Sequence, residues 1–285
     1  MKCKEWKTGS SSIFYRGLFE PEDMLGKRTM EQMKKAGIEC FEISAPYEHM
    51  VEVGFVADPL KIKNTAEAVG MELWSLHLPF SDFLDISTPK KEKQEQIFTI
   101  HSELIRSAAK AGFKLVNIHP SAEKQNSHNR EERMEVSIRY LKRFSDLCEE
   151  TGLIGTVENL PRSCLGHDIK EMEHILYECP KLKITFDTNH LLSENGDDNV
   201  SFVRKLGKKI ASLHLSDYDI TTERHWVPLD GDNDWKGIIS GLEEAGYCGP
   251  FLYETAWNKR RFEDDPDVTP QMLKERHMRI ASLTE

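Results

Sequence analysis

No two of the six cysteines, at positions 3, 40, 148, 164, 179 and 248, form a CxxC pair. That spacing suggests neither a zinc ribbon nor a disulfide framework, so the six read as reduced, mostly structural thiols. No apolar run reaches the ~18 residues that a membrane span needs. The opening residues, Met1-Lys2-Cys3-Lys4-Glu5-Trp6-Lys7, lack the apolar core of a signal peptide. The cytoplasm is therefore the expected compartment. The Gly-rich dinucleotide fingerprint is missing, as are Gly/Ser-rich or Pro-rich linkers and low-complexity tracts. Positive charge is in deficit: the formal net charge is −10. That weighs against a nucleic-acid partner, although a local basic patch or bound metal ions can override the overall sign.

What is present suits one large α/β domain spanning 1–285, with 39% hydrophobic and 30% charged residues. Short apolar runs of β type alternate with longer helical patterns. They lie at 39–44, 73–78, 115–119, 155–159, 183–187, 210–215 and 251–254, and a fainter eighth is expected within 3–15. Such spacing suits βα units. Asp58-Pro59, Thr88-Pro89 and Thr269-Pro270 place a capping side chain before a proline at the first helical position, and Asp168 and Asp234 are further N-cap candidates. Gly37, Gly70, Gly112, Gly152 and Gly246 each follow a helical stretch that a left-handed residue can stop. Eight βα units without a linker predict a closed (β/α)8 TIM barrel, with a doubly wound open sheet as the alternative.

The strands carry a second signal. Buried parallel strands are usually apolar throughout, but these are apolar on one parity only. Phe41 and Ile43 alternate with Glu42 and Ser44, Leu76 and Leu78 with Ser75 and His77, and Val116 and Ile118 with Asn117 and His119. Thr156 and Glu158 flank Val157, Thr185 and Asp187 flank Phe186, and Ser212 and His214 flank Leu213. Alternation sends one parity to the helices and the other into the barrel. The polar parity is expected to face inward, with its titratable members at the C-terminal strand ends, where barrel enzymes place their active sites.

Those members are His77, His119, Glu158, Asp187, His214 and Glu254. A lone histidine in a barrel strand is commonly a hydrogen-bonded core residue, Asp187 could cap a turn, and His214 could be packed. A buried glutamate such as Glu158 or Glu254 is costly unless paired or liganded. Together the six make a divalent ion the simplest explanation, because clustered carboxylates would otherwise repel. Mixed oxygen and nitrogen donors suit Mn²⁺, Co²⁺, Mg²⁺ or Zn²⁺ alike.

The motifs Ser75-Leu76-His77-Leu78-Pro79-Phe80, Asn117-Ile118-His119-Pro120, Val157-Glu158-Asn159, Phe186-Asp187-Thr188-Asn189-His190, His214-Leu215-Ser216-Asp217 and Tyr253-Glu254 occur in this order at barrel spacing. The chain from about Gly37 to Trp257 thereby resembles the xylose-isomerase-like barrels, a superfamily that includes ketose 3-epimerases, sugar-phosphate isomerases, inosose dehydratase and endonuclease IV. The resemblance implies a metal-dependent isomerase or epimerase of carbohydrate metabolism, working on a small sugar or polyol through an enediolate. By position, Glu158, Asp187, His214 and Glu254 match the single-metal site, Glu158 and Glu254 the acid/base pair, and His190 a substrate-binding histidine. His77, His119, Arg224, His225 and Trp257 are further substrate-binding candidates.

The same likeness carries a rival, an endonuclease IV-like enzyme with up to three Zn²⁺. His77, His119, Glu158, Asp187, His190, His214, Glu223, His225 and Glu254 match its nine ligand positions, with Glu223 in place of an aspartate. Against the rival, Pro79-Phe80-Ser81-Asp82-Phe83-Leu84-Asp85 lacks the Tyr and Asn of the DNA-inserting loop. Val227-Pro228-Leu229-Asp230-Gly231-Asp232-Asn233-Asp234-Trp235 looks like the epimerase stretch that closes over substrate. The sugar reading is preferred. An inosose dehydratase-like lyase and a non-catalytic sugar-binding barrel stay open, as does a homo-oligomer. Trp226 and Trp257 either stack on sugar or cap the core. Glu42 faces inward by parity and is expected to order a ligand. Arg224, Lys259-Arg260-Arg261 and the segment Lys90 to Lys93 also read as solvated surface.

Overall fold

A computed structural model describes residues 1–122, 129–193 and 196–285. Its elements follow in the order β1 (Thr8–Ser11), α1 (Pro21–Met24), α2 (Lys27–Lys35), β2 (Cys40–Ser44), α3 (Tyr47–Glu52), α4 (Pro59–Val69), β3 (Glu72–His77), α5 (Lys91–Ala111), β4 (Leu115–Ile118) and α6 (Arg130–Thr151). Then come β5 (Ile154–Glu158), α7 (Ile169–Glu178), β6 (Lys183–Asp187), α8 (Asn199–Leu206), β7 (Ile210–His214), α9 (Trp235–Ala245), β8 (Phe251–Tyr253) and α10 (Pro270–Ala281). The eight strands are parallel, in the order β7-β6-β5-β4-β3-β2-β1-β8. The ring closes at its C-terminal rim, where Leu215 bridges Tyr253. There the Leu215 amide donates to Leu252 O at 2.9 Å and the Glu254 amide to Leu215 O at 3.1 Å. The expected barrel is therefore the observed one.

Most local signals act as their chemistry requires, although Asp58 makes no side-chain cap bond to α4, which still begins at Pro59. Gly70, Gly112, Gly152 and Gly246 end α4, α5, α6 and α9 in the left-handed conformation, and Gly37, just past α2, shares it. Asp168, Asp234 and Thr269 each accept a hydrogen bond from an amide in the first turn of α7, α9 and α10. One boundary differs: α5 starts at Lys91, not at Pro89. The residues before it are held in a loop by Asp85, whose carboxylate accepts from the amide and hydroxyl of Ser87 and from Arg133. Thr88 O in turn accepts from Gln94 Nε2.

Phe41, Ile43, Leu76, Val116, Val157, Phe186 and Leu213 join the core between strands and helices. The polar parity points inward, and part of it is satisfied by bonds between strands. Ser75 Oγ donates to Glu42 Oε2 at 2.6 Å, and the same oxygen lies 3.0 Å from His214 Nε2 on β7. Thr185 Oγ1 donates to Thr156 Oγ1 at 2.8 Å. Strict alternation would set Trp74 beside Leu76 on the helix face. A one-residue register shift between β2 and β3 turns it inward instead, and its indole N–H reaches Ser212 Oγ at 3.1 Å. Among the described residues, no helix is long and apolar enough to cross a membrane.

Candidate metal centre

Four strands deliver the central donors. Glu158 ends β5, Asp187 ends β6, His214 ends β7, and Glu254 follows β8 directly. One donor atom from each lies within 4.8 Å of all the others. Exposure is 1% for Glu158, 0% for Asp187 and His214, and 9% for Glu254. His214 Nδ1 stands 3.2 Å from Glu254 Oε2, 3.3 Å from Glu158 Oε1 and 4.0 Å from Asp187 Oδ2. Yet among the described residues Glu158 Oε1, Asp187 Oδ2 and His214 Nδ1 all lack a hydrogen-bond partner. Three orphaned buried donors around one point are what a bound cation would satisfy. The residues fit a divalent ion.

The surrounding bonds aim these donors. Glu42 takes the Nε2 side of His214, which leaves Nδ1 facing the cluster. Asn159 brackets β6, with Oδ1 accepting from the Asp187 amide and Nδ2 donating to Asp187 O, both at 2.9 Å. Asp187 Oδ1 accepts from the Asn189 amide at 2.6 Å, which turns Oδ2 toward the site. Asn117 Nδ2 donates to Glu158 Oε2.

The four charges act on one another at close range. Burial pushes the Glu158 carboxyl up, but His214 and His119 outweigh it and hold it well below the usual carboxylate range. Glu254 behaves alike: burial raises it, and His214 pulls it far down. Burial, then Glu254 and Glu158, lift Asp187 well above its ordinary value. Burial disfavours charge on His214, yet Glu254, Glu42 and Glu158 raise it far above a free imidazole.

Among the described residues three further donor groups adjoin the first: one joins His77 to His214 and Glu254, and two reach beyond it. His77, His119 and Glu158 form one, with Glu158 Oε2 at 3.3 and 3.4 Å from the two Nε2 atoms. His77 Nδ1 donates to Leu78 O at 2.9 Å when the ring is neutral, which leaves Nε2 as an acceptor facing the site. His190, Glu223 and His225 form the other, with His190 Nε2 3.4 Å from Glu223 Oε1. Here the Arg162 guanidinium sits directly on Glu223. Arg162 and His225 both hold left-handed backbone, at φ 54° and 55°. Burial leaves His190 low, at about 4, and lowers His225 too, so both face the site as neutral rings.

A family model described as the xylose isomerase-like TIM barrel matches residues 30–276. The chain belongs to that family. Its fold is shared at low identity by solved structures. One is a D-tagatose 3-epimerase-like protein, with TM-score 0.78, 20% identity and 98% of each chain covered. Another is the D-psicose 3-epimerase of Clostridium cellulolyticum H10, with TM-score 0.79, 17% identity and 98% of each chain covered. A 3-keto-D-glucoside 4-epimerase of E. coli aligns at TM-score 0.74 and 15% identity, over 98% of this chain and 100% of that one. Curated relatives match more locally. Inosose dehydratase of Geobacillus thermodenitrificans is 26% identical over 48% of this chain, and an uncharacterized protein of Methanocaldococcus jannaschii is 24% identical over 53%. The chain spans 50% and 59% of the length of these two.

In this xylose isomerase-like barrel, His119, Glu158, His190, Glu223, His225 and Glu254 line one cavity of about 360 Å³ above the strand ends. Arg224 and Trp257 are not among its lining residues. Arg224 Nε donates to Asp219 Oδ2 at 2.7 Å within its own loop. The Trp257 indole donates to Arg16 O at 3.1 Å and the ring packs against the core. The loop 227–235 is tied down by Asp217, which accepts from the Leu229 amide and the Trp235 indole, both at 2.8 Å. Sequence reasoning missed Arg16, Phe80 and Arg162 as site residues. They sit on loops, where parity carries no information, although Phe80 belongs to the motif that ends β3.

Proposed function

We propose that this barrel is a divalent-metal-dependent sugar isomerase or epimerase that transfers a proton beside a carbonyl by way of an enediolate. The observation that carries the reading is the shared cavity into which Glu158 and Glu254 project, with Asp187 and His214 between them on the intervening strands. Held by those four side chains, a Mn²⁺, Co²⁺, Mg²⁺ or Zn²⁺ ion would supply Lewis-acid stabilisation of negative charge on the substrate's oxygens. The residues do the rest. Glu158 and Glu254 enter as carboxylates, the form in which they would ligate the ion. One takes the proton from the carbon beside the carbonyl. Returning it to the neighbouring carbon, while a proton passes from the substrate hydroxyl to the former carbonyl oxygen, shifts the carbonyl. Delivery to the opposite face by the other glutamate, once it has taken a proton from a substrate hydroxyl, inverts the centre, and the first glutamate returns its proton to that oxygen. His119 and His190 are buried and His225 is half-buried, and all three lean neutral, suited to hydrogen-bonding sugar hydroxyls.

A panel of ketoses and ketose phosphates in D₂O with added Mn²⁺ or Co²⁺ tests this reading. Wild type is expected to place deuterium beside the carbonyl, and Glu158→Gln and Glu254→Gln each to lower turnover by at least ~10²-fold. Conversion without any solvent deuterium contradicts stepwise proton transfer. Products that have lost water would move the chain to the dehydratase class.

The flanking donor groups favour one second reading, a zinc-dependent nuclease acting at abasic sites, because all nine donors of that pattern fall in such groups, with His190, Glu223 and His225 in one that shares no member with the rest. The Arg162 guanidinium on Glu223 competes with a cation in the third group, and the net charge of −10 opposes DNA. Cleavage of abasic DNA that rises with zinc loading would promote this second reading.

A further inference from the structure

A second cavity, of about 430 Å³, adjoins the first. The two share Arg16, Ser44 and Phe80 as walls. They also meet across the histidine pair: His77 lines the second and His119 the first, and their Nε2 atoms are 3.1 Å apart. The second cavity thus opens beside the proposed reacting centre. Its walls differ in character. Phe19 and Met24 give it apolar and aromatic surface, and Phe19 is braced by stacking on Tyr15 at 4.3 Å. Phe80 stands at the junction, stacked on His119 at 3.9 Å. His49 also lines the second cavity, and its Nδ1 is buried without a hydrogen-bond partner among the described residues. Each cavity alone is near the lower end of the ~300–1,000 Å³ of small-molecule sites, and one sugar ring suffices for one of them.

We infer that the substrate has two rings: a glycoside or disaccharide whose reacting sugar lies over Glu158 and Glu254 and whose second ring occupies the Phe19–Met24–His49 cavity. Apolar faces there pack on the C–H face of the second ring, and His49 supplies a polar contact. Arg16, exposed and lining both cavities, carries a donor side chain for oxygens near the glycosidic link. This inference rests on the isomerase or epimerase reading and names its substrate class.

The test compares keto-glycosides, bearing methyl, phenyl and glucosyl groups, with the corresponding free sugars and their phosphates. Solvent deuterium incorporation is the activity readout, and saturation-transfer NMR on the second ring reports binding. Glycosides are expected to exceed free sugars in kcat/KM by at least ~10-fold. Aglycone protons should receive saturation, and Ser81→Trp, which narrows the second cavity from its exposed rim, should lower the glycoside-to-free ratio by a similar factor. Equal exchange of free sugars and glycosides, with a ratio indifferent to Ser81→Trp, overturns the two-ring substrate and leaves the isomerase reading standing. Preference for the phosphates overturns it as well, and assigns Arg16 to an anion. Exchange in no compound of the panel overturns both readings together.

Discussion

Glu42 shows how a residue outside the donor set governs it. Its Oε2 is bound by Ser75 and His214, and its side chain is fully buried. A carboxylate on the far nitrogen of a ligating imidazole fixes the tautomer and strengthens the donor. Glu42→Gln is therefore expected to weaken Mn²⁺ binding by ~10–100-fold in a calorimetric titration, with the far-UV spectrum unchanged. An unaltered affinity would assign Glu42 to packing alone. At this scale the inward residues were legible because one physical rule covers them all: a polar side chain on a buried strand needs a partner. That rule picked out Glu42, Glu158, Asp187 and His214 before any contact was known. It is silent on Arg16, Phe80 and Arg162, whose directions depend on loop conformation, and it could not separate Trp257, which braces a neighbouring loop, from a tryptophan that lines the cavity.

Among the elements, the segment between β5 and α7 carries Arg162 to Glu223 and is pinned by one network. Arg130, at the start of α6, donates to both oxygens of Glu171 at 2.7 Å and to the carbonyls of Ser163 and Cys164. Glu171 also accepts from the Gly166 amide at 2.8 Å. Burial raises the Glu171 carboxyl, but bonds from His167, Arg130 and Gly166 bring it down to about 2. A depressed carboxylate stabilises the fold fully above its unfolded value of ~4.3, and that contribution is lost as pH falls toward 2. The difference in Tm between wild type and Glu171→Gln is expected to be largest above pH 5 and to shrink as pH falls through 4 to 2. A difference independent of pH would contradict the charged role. Among the strands, β1 was the hardest to read. Thr8–Ser11 is short, with no apolar alternation, and owes its place to pairing with β2 and β8. The start of α5 at Lys91, two residues past Pro89, has a similar cause, since the bonds around Asp85 and Thr88 outcompete the proline's preference to begin a helix.

For the whole molecule, closure of the barrel turns separate strand ends into one site. Glu158 and Glu254 lie far apart in sequence and meet only because β8 returns to β7 through Leu215 and Tyr253. The most direct test of the account is the count and position of bound metal, from mass spectrometry of the native protein and anomalous scattering of metal-soaked crystals. The account predicts one tightly held divalent ion per chain, ligated by Glu158, Asp187, His214 and Glu254 at ~2.0–2.3 Å and lost in Asp187→Asn. A chain that binds no ion after dialysis against Mn²⁺, Co²⁺ and Zn²⁺, or that holds its ion away from these four side chains, would contradict it.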